Sequence, residues 1–311
     1  MKIVTVTANP CIDMTMFVEG FARGGINRAA GTRRDAAGKG INVSAALINL
    51  GCSSLCAGIN YEGNREIIES RLSELGIPFD FVYAKGEVRT NVKIIEQNTG
   101  VMTEVNMRGG YVEPQTADGL IKKLSGLAAR NEIDLLILSG SLPQGVDSSI
   151  YKTILEKTRV PAILDAEGAC FLAGLGSAHK PLMVKPNLYE LETAFDVSLP
   201  TKKDAADFCR KKLISELGVK IACVSMGGDG ALLVTENGAH FTEGLPLAVR
   251  GAQGAGDSMV AGMALAYLNN LGGAEMLRYA AAAASASVIR DGTLMCTREG
   301  FDEMYKKIKI Y

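Results

Sequence analysis

Short runs of consecutive apolar residues recur along the chain, separated by longer stretches in which apolar and polar residues follow a helical period. The runs cover residues 3–6, 133–138, 162–164, 182–184 and 221–224. A strand that is buried on both faces of a parallel sheet is apolar throughout, whereas a half-exposed strand alternates apolar and polar residues. The pattern therefore predicts an α/β fold built on a mostly parallel sheet.

Two of the intervening stretches show the helical period most clearly. Their apolar positions are Val43, Ala46, Leu47 and Leu50 in the first, and Val260, Met263, Ala264, Tyr267, Leu268 and Leu271 in the second. Each set forms one stripe along a helix, as expected for a helix that packs on a core. Gly51 and Gly272 follow these stripes, and we predict that the two glycines end the helices.

Two stretches, residues 12–36 and 79–108, do not follow the strand and helix rhythm. Strand-like segments at 91–96 and 101–106 lie on either side of the turn sequence Asn98-Thr99-Gly100, which favours a hairpin. We interpret the two stretches as a small β-sheet lid inserted into the α/β body. Because there is no internal repeat and no low-complexity linker, we expect residues 1–311 to form a single domain.

The charge balance and the hydropathy narrow the possible partners. Lys and Arg total 33 against 34 Asp and Glu, a formal net charge of -1, and there is no long basic tract. We therefore expect neither nucleic acid nor an anionic membrane as a partner. The N-terminus does not resemble a signal peptide, and no run of about 18 apolar residues occurs, so we predict a protein that is neither secreted nor membrane-spanning.

The cysteines favour a reducing cytoplasm. There are seven, scattered and without a CxxC pair. Cys52 and Cys56 are the one close couple, but the two histidines of the chain do not complete a zinc site with them. We therefore expect buried free thiols.

The strongest chemical signal is the segment Gly254-Ala255-Gly256-Asp257-Ser258, which opens the second amphipathic helix. A helix start flanked by glycines presents unpaired backbone N–H groups and a partial positive charge, so it can hold an anion. A carboxylate beside such a site can accept the proton of an attacking hydroxyl while the amides stabilise a transferring phosphoryl group. We therefore predict that Asp257 is the catalytic base of a kinase. The alternative is that Asp257 or Ser258 merely caps the helix.

Two further segments follow buried strands, where open α/β sheets place their ligands. Asn187 and Glu190 are three residues apart and share one face of a helical turn, so their oxygens could hold a nucleotide-bound magnesium ion, partly through water. The same pair could instead form an N-terminal capping box. The glycine-rich segment 225–231 could lie against a nucleotide, although such turns also connect hairpin strands.

The N-terminal part of the chain carries a candidate phosphate site. Asp13 follows the first predicted strand, and glycines on either side of Lys39 open the first amphipathic helix. Glycines and a lysine at a helix start suit a phosphate, but GxxxxGK[ST] is absent, as is a GxGxxG after a strand. The alternative is a lysine exposed in a loop.

Seven motifs occur in order between residues 9 and 262, namely NPCID, AGKGINV, GEVRTN, SGSLP, VKPNLYE, SMGGDGA and GAGDSMVAG. The series resembles the PfkB sugar kinases of the ribokinase superfamily, and within them the branch of 1-phosphofructokinases and tagatose-6-phosphate kinases. The resemblance implies a ribokinase-like fold, with a doubly wound, mostly parallel sheet, helices on both faces and a small β lid. It also implies an ATP- and Mg2+-dependent kinase that phosphorylates a hydroxyl of a small sugar phosphate.

The resemblance also implies roles by position. It makes Asp257 the base, with an anion hole formed by Gly254, Ala255 and Gly256. It places at the magnesium ion Asn187 and Glu190, and at the nucleotide Lys185, Ser225, Gly227 and Gly230. It places in the sugar pocket Asp13, Gly38, Asn42 and Ser139, and near the substrate phosphate Arg28, Lys39 and Arg89. Three cations around one dianion would select a phosphorylated sugar, because charge-assisted hydrogen bonds are strong.

Four positions depart from the usual pattern of these kinases. Ala37 stands where a glycine is usual, and Val88 stands where ETRTN has its first threonine. Residues 107–110 replace a turn that resembles Glu-Pro-Gly-Pro, and Gln253 replaces a valine before GAGD. The last two changes could alter the sugar pocket and the approach to the anion hole.

The sequence RTNVKI at 89–94 resembles 1-phosphofructokinases more than tagatose kinases. The expected reaction is therefore the conversion of fructose 1-phosphate to fructose 1,6-bisphosphate. The alternatives are tagatose 6-phosphate or another sugar as substrate and, from a different class, a non-catalytic sugar-phosphate sensor, against which an intact Asp257 argues. A dinucleotide oxidoreductase lacks its fingerprint.

The lid predicts an assembly as well. A small sheet needs a second apolar layer to be stable. Ile94, Val101 and Val105 would supply that layer by packing against the same lid of a second subunit, since similar kinases pair through such lids, and the result would be a two-fold homodimer. The alternative is that these residues fold back onto their own α/β body and leave a monomer.

Overall fold

The computed structural model describes residues 2–249, 251, 253–290, 292 and 294–311. The strands are β1 (Ile3–Thr7), β2 (Cys11–Val18), β3 (Gly31–Ala37), β4 (Ser54–Tyr61), β5 (Phe79–Ala84), β6 (Arg89–Glu96), β7 (Met102–Val105), β8 (Leu135–Ser139), β9 (Ala162–Asp165), β10 (Met183–Val184), β11 (Ile221–Ser225), β12 (Ala231–Thr235) and β13 (Gly238–Thr242). The helices are α1 (Lys39–Asn49), α2 (Arg65–Glu74), α3 (Pro114–Ala129), α4 (Ile150–Thr158), α5 (Gly168–Leu175), α6 (Leu188–Phe195), α7 (Lys202–Phe208), α8 (Ala255–Leu268), α9 (Gly273–Val288) and α10 (Arg298–Lys307), with a π-helical segment (Cys209–Glu216) and a 3-10 turn (Gly227–Asp229).

Nine strands of the described residues form one sheet in the order β13-β12-β11-β10-β9-β8-β1-β4-β5. The pairs from β11 to β5 are parallel, and β12 and β13 add an antiparallel edge. The five predicted apolar runs coincide or overlap with β1, β8, β9, β10 and β11. The prediction of an α/β fold on a mostly parallel sheet is therefore confirmed.

Neighbouring residues of the central strands pack into two different hydrophobic clusters. On β1, Ile3 belongs to the cluster that includes α1, α8, α9 and α10, whereas Val4 belongs to the cluster that includes α2 to α7. Because successive side chains of a strand point to opposite faces, the two clusters lie on opposite faces of the sheet. Helices therefore cover both faces. Within the described residues, none of the helices combines the length and apolarity that a membrane crossing needs.

The second predicted amphipathic helix ends before its apolar stripe does. α8 stops at Leu268, because Asn270 adopts a left-handed φ of 54° and the N–H of Leu271 bonds back into the last helical turn. Gly272 instead precedes α9 as its N-terminal cap residue. The prediction that Gly272 ends the second helix is therefore wrong. Gly51 follows Leu50, the C-terminal cap residue of α1, and has a left-handed φ of 83°, as expected of a glycine that ends a helix.

A second, small sheet of the described residues has the order β3-β2-β6-β7. It contains most of the stretches predicted as a lid, and we call it the lid. Its last two strands flank the predicted turn at Asn98-Thr99-Gly100. The strand at Phe79–Ala84 is not part of this sheet, since it pairs in parallel with β4 at the edge of the main sheet. The prediction that the second lid stretch begins at residue 79 is therefore wrong. The reason is that Phe81 and Ala84 are buried in the main core.

Candidate active site

Asp257 lies in the first turn of α8 and is buried. Its carboxylate accepts a hydrogen bond of 2.8 Å from Nδ2 of Asn42 on α1. Burial, together with the negative charge of Asp165, raises the pKa of Asp257 to about 6. A carboxylate with a raised pKa is a stronger proton acceptor and is still mostly ionised at pH 7.

The glycines at the start of α8 lie close to neighbouring side chains. Gly254 has a φ of 76°, and a Cβ at this position would lie 2.2 Å from Cε of Met295. A Cβ at Gly256 would lie 3.4 Å from Nζ of Lys185. Among the described residues, no side chain caps this helix, so its first backbone N–H groups can bind an anion. The alternative in which Asp257 or Ser258 acts as the helix cap is therefore not what the structure contains.

Asp165, at the end of β9, is a site residue that the motifs did not predict. Its Oδ1 lies 3.3 Å from Nζ of Lys39 and 3.3 Å from Nζ of Lys185, and the residue is 1% exposed. Burial would raise the pKa of Asp165, but the two ammonium groups outweigh burial and hold the pKa below its ordinary value. The available signal was an aspartate after the apolar run 162–164, because parallel strands end at the ligand-binding edge of a sheet.

A large cavity of about 830 Å³ opens beside α8. The residues predicted at the nucleotide all line it, namely Lys185, Ser225, Gly227 and Gly230. Asp165 and residues 254–257 line it as well. Another part of its wall is apolar and includes Leu245, Leu247, Met259, Ala284 and Val288. An apolar wall with a charged end suits a planar base that carries phosphates.

Asn187 and Glu190 also line the large cavity, and they form a complete capping box at the start of α6. Oδ1 of Asn187 accepts a hydrogen bond of 2.8 Å from N of Glu190, and Oε2 of Glu190 accepts one of 2.8 Å from N of Asn187. Both side chains keep further acceptor capacity, which suits a magnesium ion that retains several waters. In the described part of the chain, His, Cys, Asp and Glu side chains form no metal-binding group of three or more. The magnesium role of the pair stays a prediction.

The glycine-rich segment 225–231 is both a turn between two strands and part of the wall of the large cavity. It connects β11 to the antiparallel strand β12, as a hairpin turn does. Six of its residues line the large cavity, and Ser225, Gly227 and Gly230 are the predicted ones among them. At Gly230 a Cβ would lie 1.9 Å from O of Thr242, so a side chain cannot be placed there.

A small cavity of about 260 Å³ lies between the α/β body and the lid. The predicted substrate residues that line it are Asp13, Gly38, Lys39, Asn42, Arg89 and Ser139. Arg28 is not among the lining residues, because it is exposed in the segment between β2 and β3. Lys93 and Glu104 line the cavity although no role was predicted for them, and Gln253, the predicted departure before the anion hole, lines it as well.

Asp13 on β2 is held by two residues of the lid strand β6. The carboxylate is buried and accepts hydrogen bonds from Nζ of Lys93 at 2.5 Å and from Nδ2 of Asn91 at 3.2 Å. These donors fix the orientation of the carboxylate at the wall of the small cavity. A carboxylate so placed can accept a hydrogen bond from a sugar hydroxyl.

Arg89 contacts the backbone of the segment that replaces the usual turn. Its Nη1 donates to O of Met107 at 2.7 Å, and its Nη2 donates to O of Asn9 at 3.4 Å. Gln144 donates to O of Gly109 at 3.0 Å from the other side. The departure at residues 107–110 is therefore anchored to the small cavity through Arg89.

The two cavities meet beside Asp257. Lys39 and Gly254 line both cavities, and Asn42, which lines the small cavity, donates to Asp257, which lines the large one. A hydroxyl in the small cavity and a phosphate in the large cavity can therefore reach this carboxylate together. The arrangement is suited to phosphoryl transfer, because the carboxylate can accept the hydroxyl proton while N–H and ammonium groups stabilise the phosphoryl charge.

Comparison with protein families agrees with this chemistry. The family described as pfkB family carbohydrate kinase matches residues 1–299. The chain belongs to the pfkB family of carbohydrate kinases. The match covers nearly the whole chain, so the resemblance drawn from the ordered motifs is confirmed, and the protein is a carbohydrate kinase.

Individual members of the pfkB family match this chain over its full length. It is 31% identical over 312 residues to 1-phosphofructokinase from Escherichia coli strain K12, covering 99% of this chain and 98% of the relative. The structure of phosphofructokinase-2 from Escherichia coli in complex with substrates and products gives a TM-score of 0.91 at 27% identity, covering 99% of each chain.

A third comparison concerns the fold alone. Ribokinase from Arabidopsis thaliana, complexed with ribose and ATP, gives a TM-score of 0.77 at 23% identity and covers 98% of each chain. At this identity the likeness shows a shared fold and nothing about the substrate. The predicted ribokinase-like fold is thereby confirmed.

Proposed function

We propose that this carbohydrate kinase transfers the γ-phosphoryl group of ATP, bound in the large cavity, to O6 of fructose 1-phosphate in the small cavity, giving fructose 1,6-bisphosphate. The observation that carries the proposal is the position of Asp257, at the boundary of the two cavities and next to an uncapped helix start. The 31% identity to a 1-phosphofructokinase over nearly the full length supports the choice of sugar.

In this mechanism Asp257 accepts the proton of the sugar hydroxyl as its oxygen attacks the phosphorus atom. Asn42 orients the carboxylate through its 2.8 Å hydrogen bond. A pKa of about 6 keeps the carboxylate mostly ionised at neutral pH and makes it a stronger base than an ordinary aspartate. The N–H groups of residues 254–256 then stabilise the negative charge of the transferring group.

Asn187 and Glu190 would hold the magnesium ion of the nucleotide, partly through water, because amide and carboxylate oxygens suit this ion. When bound, the ion would supply positive charge that offsets the negative charge of the nucleotide phosphates. Lys185, which is buried, also lines the large cavity and would add a positive charge there.

Lys39 suits a role at the transferring phosphoryl group better than the predicted role at the distal sugar phosphate. It lies on the boundary of the two cavities, 3.3 Å from Asp165. Burial would lower the pKa of Lys39, but the carboxylates of Asp165 and Asp257 raise it above its ordinary value, so the ammonium group stays charged. Arg89, which lines the small cavity and not the large one, remains the candidate for the distal phosphate.

A coupled assay that measures ADP release tests the proposal with fructose 1-phosphate, tagatose 6-phosphate and fructose 6-phosphate as substrates. We expect the highest kcat/KM with fructose 1-phosphate. A large preference for either of the other sugars would make the protein a kinase of that sugar instead. Tight binding of a sugar phosphate without ADP release would favour the non-catalytic sensor.

We also propose that two subunits pair through their lids. β7 is exposed along its whole length, and the exposed fractions of Val101 and Val105 are 58% and 57%. Met102 and Met107 add exposed apolar surface. A second lid that covered this strand would supply the apolar layer that a small sheet needs.

A cytoplasmic location is part of the proposal. All seven cysteines are free thiols, and six of them are buried. Free thiols of this kind persist in a reducing compartment.

A further inference from the structure

Gln253 connects the lid to the loop that begins the anion hole. Its Oε1 accepts a hydrogen bond from Nζ of Lys93 on β6, and its Nε2 donates to Oε1 of Glu104 on β7. Gln253 itself directly precedes Gly254, the first residue of the anion hole. A single side chain of the body thus contacts two strands of the lid.

The two lid partners of Gln253 lie directly opposite each other. Lys93 and Glu104 are paired in the antiparallel register of β6 and β7, so their side chains project from the same face of the lid. One is a cation and the other an anion. An amide can satisfy both at once, because its oxygen accepts from the ammonium group and its NH2 donates to the carboxylate.

The same contacts continue into the sugar site. Lys93 donates to Gln253 and also, at 2.5 Å, to Asp13, whose carboxylate faces the small cavity. A continuous set of hydrogen bonds therefore runs from Asp13 through Lys93 and Gln253 to the residue next to Gly254. A valine, which is usual before GAGD in similar kinases, cannot form either bond.

We propose that Gln253 is a positioning residue that holds the lid against the anion-hole loop, so that sugar binding at Asp13 and alignment of the anion hole depend on each other. Gln253 does not transfer a proton or contact the reacting atoms. The inference rests on the proposed kinase function for its kinetic consequence, but the bridge between Gln253 and Glu104 can also be measured without turnover.

The test moves the carboxylate of the bridge from residue 104 to residue 253. Gln253→Glu keeps an acceptor for Lys93 but places a second carboxylate against Glu104. Because a hydrogen bond to a charged group is worth about a tenfold change in an equilibrium, we expect kcat/KM for the sugar phosphate to fall about tenfold or more, with the KM for ATP changed little. Glu104→Gln alone should have a small effect, because its amide oxygen can still accept from Gln253.

The double variant with Gln253→Glu and Glu104→Gln decides the matter. Its glutamine can donate to the new carboxylate, so kcat/KM should return to within a few-fold of the unmodified enzyme. Equal losses in the double variant and in Gln253→Glu would overturn the proposal. Gln97→Glu is the matched control, since it makes the same change at an exposed position in the turn between β6 and β7 and should leave kcat/KM unchanged.

A second readout separates the bridge from the proposed function. Hydrogen exchange of the backbone amides of β7 should become faster in Gln253→Glu and return to the original rate in the double variant, whichever sugar is the substrate. Unchanged exchange in Gln253→Glu would contradict the bridge even in an active kinase. If Gln253→Glu does not fold, Gln253→Val and Glu104→Ala give the same test, because their effects should not add, whereas additive effects would overturn the proposal.

Discussion

The large and the small cavity are built in different ways. Residues of the α/β body line the large cavity, mainly from the segments after β10, β11 and β13, from the start of α8 and from α9. The small cavity is shared between that body and all four strands of the lid. Motifs at the ends of core strands predicted the large cavity well, whereas the lid added residues that no motif had indicated. We therefore expect substitutions at the boundary with the large cavity to lower mainly kcat, and substitutions in the small cavity to raise mainly the KM for the sugar phosphate.

The largest expected effect is on turnover, at the boundary of the two cavities. Asp257→Asn removes the proton acceptor and should lower kcat about 100-fold or more while leaving the binding of both substrates nearly unchanged. Steady-state kinetics with a calorimetric binding measurement checks this. A folded variant with near-normal turnover would rule out Asp257 as the base.

The same variant gives a stability control. The folded-state pKa of Asp257, about 6, is raised above the ordinary 3.8. The ionised carboxylate is therefore less favourable in the folded than in the unfolded protein, and the free energy of unfolding falls as the pH rises from about 4 to about 6. At pH 7 a neutral asparagine avoids this destabilisation. The melting temperature of Asp257→Asn at pH 7 should be equal to or higher than that of the unmodified protein.

Asp165→Asn tests the buried ion pairs that Asp165 forms with Lys39 and Lys185 in the wall of the large cavity. It removes the buried carboxylate that pairs directly with Lys39 and Lys185, which should lower the free energy of unfolding by about 3 kcal/mol. The exposed pair of Asp207 and Lys203 offers a matched control, and Asp207→Asn should cost less than about 1 kcal/mol. Denaturant unfolding measures both, and equal costs would contradict the buried role of Asp165.

Asp165→Asn should also shift the pH profile. The unmodified enzyme should lose kcat/KM as the pH falls through about 6, because protonated Asp257 cannot accept a proton. The negative charge of Asp165 raises the pKa of Asp257, so its removal should move this acidic limb to lower pH. If kcat/KM of Asp165→Asn falls at the same pH as in the unmodified enzyme, Asp165 does not raise the pKa of Asp257.

Lys39→Ala and Arg89→Ala sharpen the comparison between the two cavities. Lys39 lies at their boundary, so we expect its loss mainly to lower kcat. Arg89 lines the small cavity and not the large one, so we expect its loss to raise the KM for the sugar phosphate about tenfold with little change for ATP. Equal weakening of sugar and ATP by Arg89→Ala would place this residue outside sugar recognition.

The smallest expected effect on chemistry concerns assembly. Val105→Asp places a charge on the exposed face of β7 and should shift a lid-paired dimer toward monomers at micromolar concentration, as light scattering would show. Sugar affinity should fall more than kcat, since the lid contributes to the small cavity alone. A fully active monomer before any substitution would exclude the paired lids.

Ile94 illustrates why the lid was harder to predict than the body. Its place in an alternating strand predicted an interface with a second subunit, but the residue is already half-buried within its own chain. Alternation shows which residues share a face and does not show what covers that face. The core strands are easier to interpret, because they are apolar on both faces and each face must therefore be packed against other elements of the same chain.

The amino-acid sequence by itself determined the layered fold, the helix start that carries Asp257 and the order of the family motifs. Local patterns suffice for these, since strand burial, helix periodicity and glycine-flanked helix starts are properties of neighbouring residues. Only the tertiary structure decided that Asp165 lies between two lysines, that Phe79–Ala84 joins the main sheet, and that Gln253 contacts the lid. Lys39 and Asp165, for example, are 126 residues apart along the chain. Contacts of this kind depend on how separate elements pack, and no local pattern records that packing.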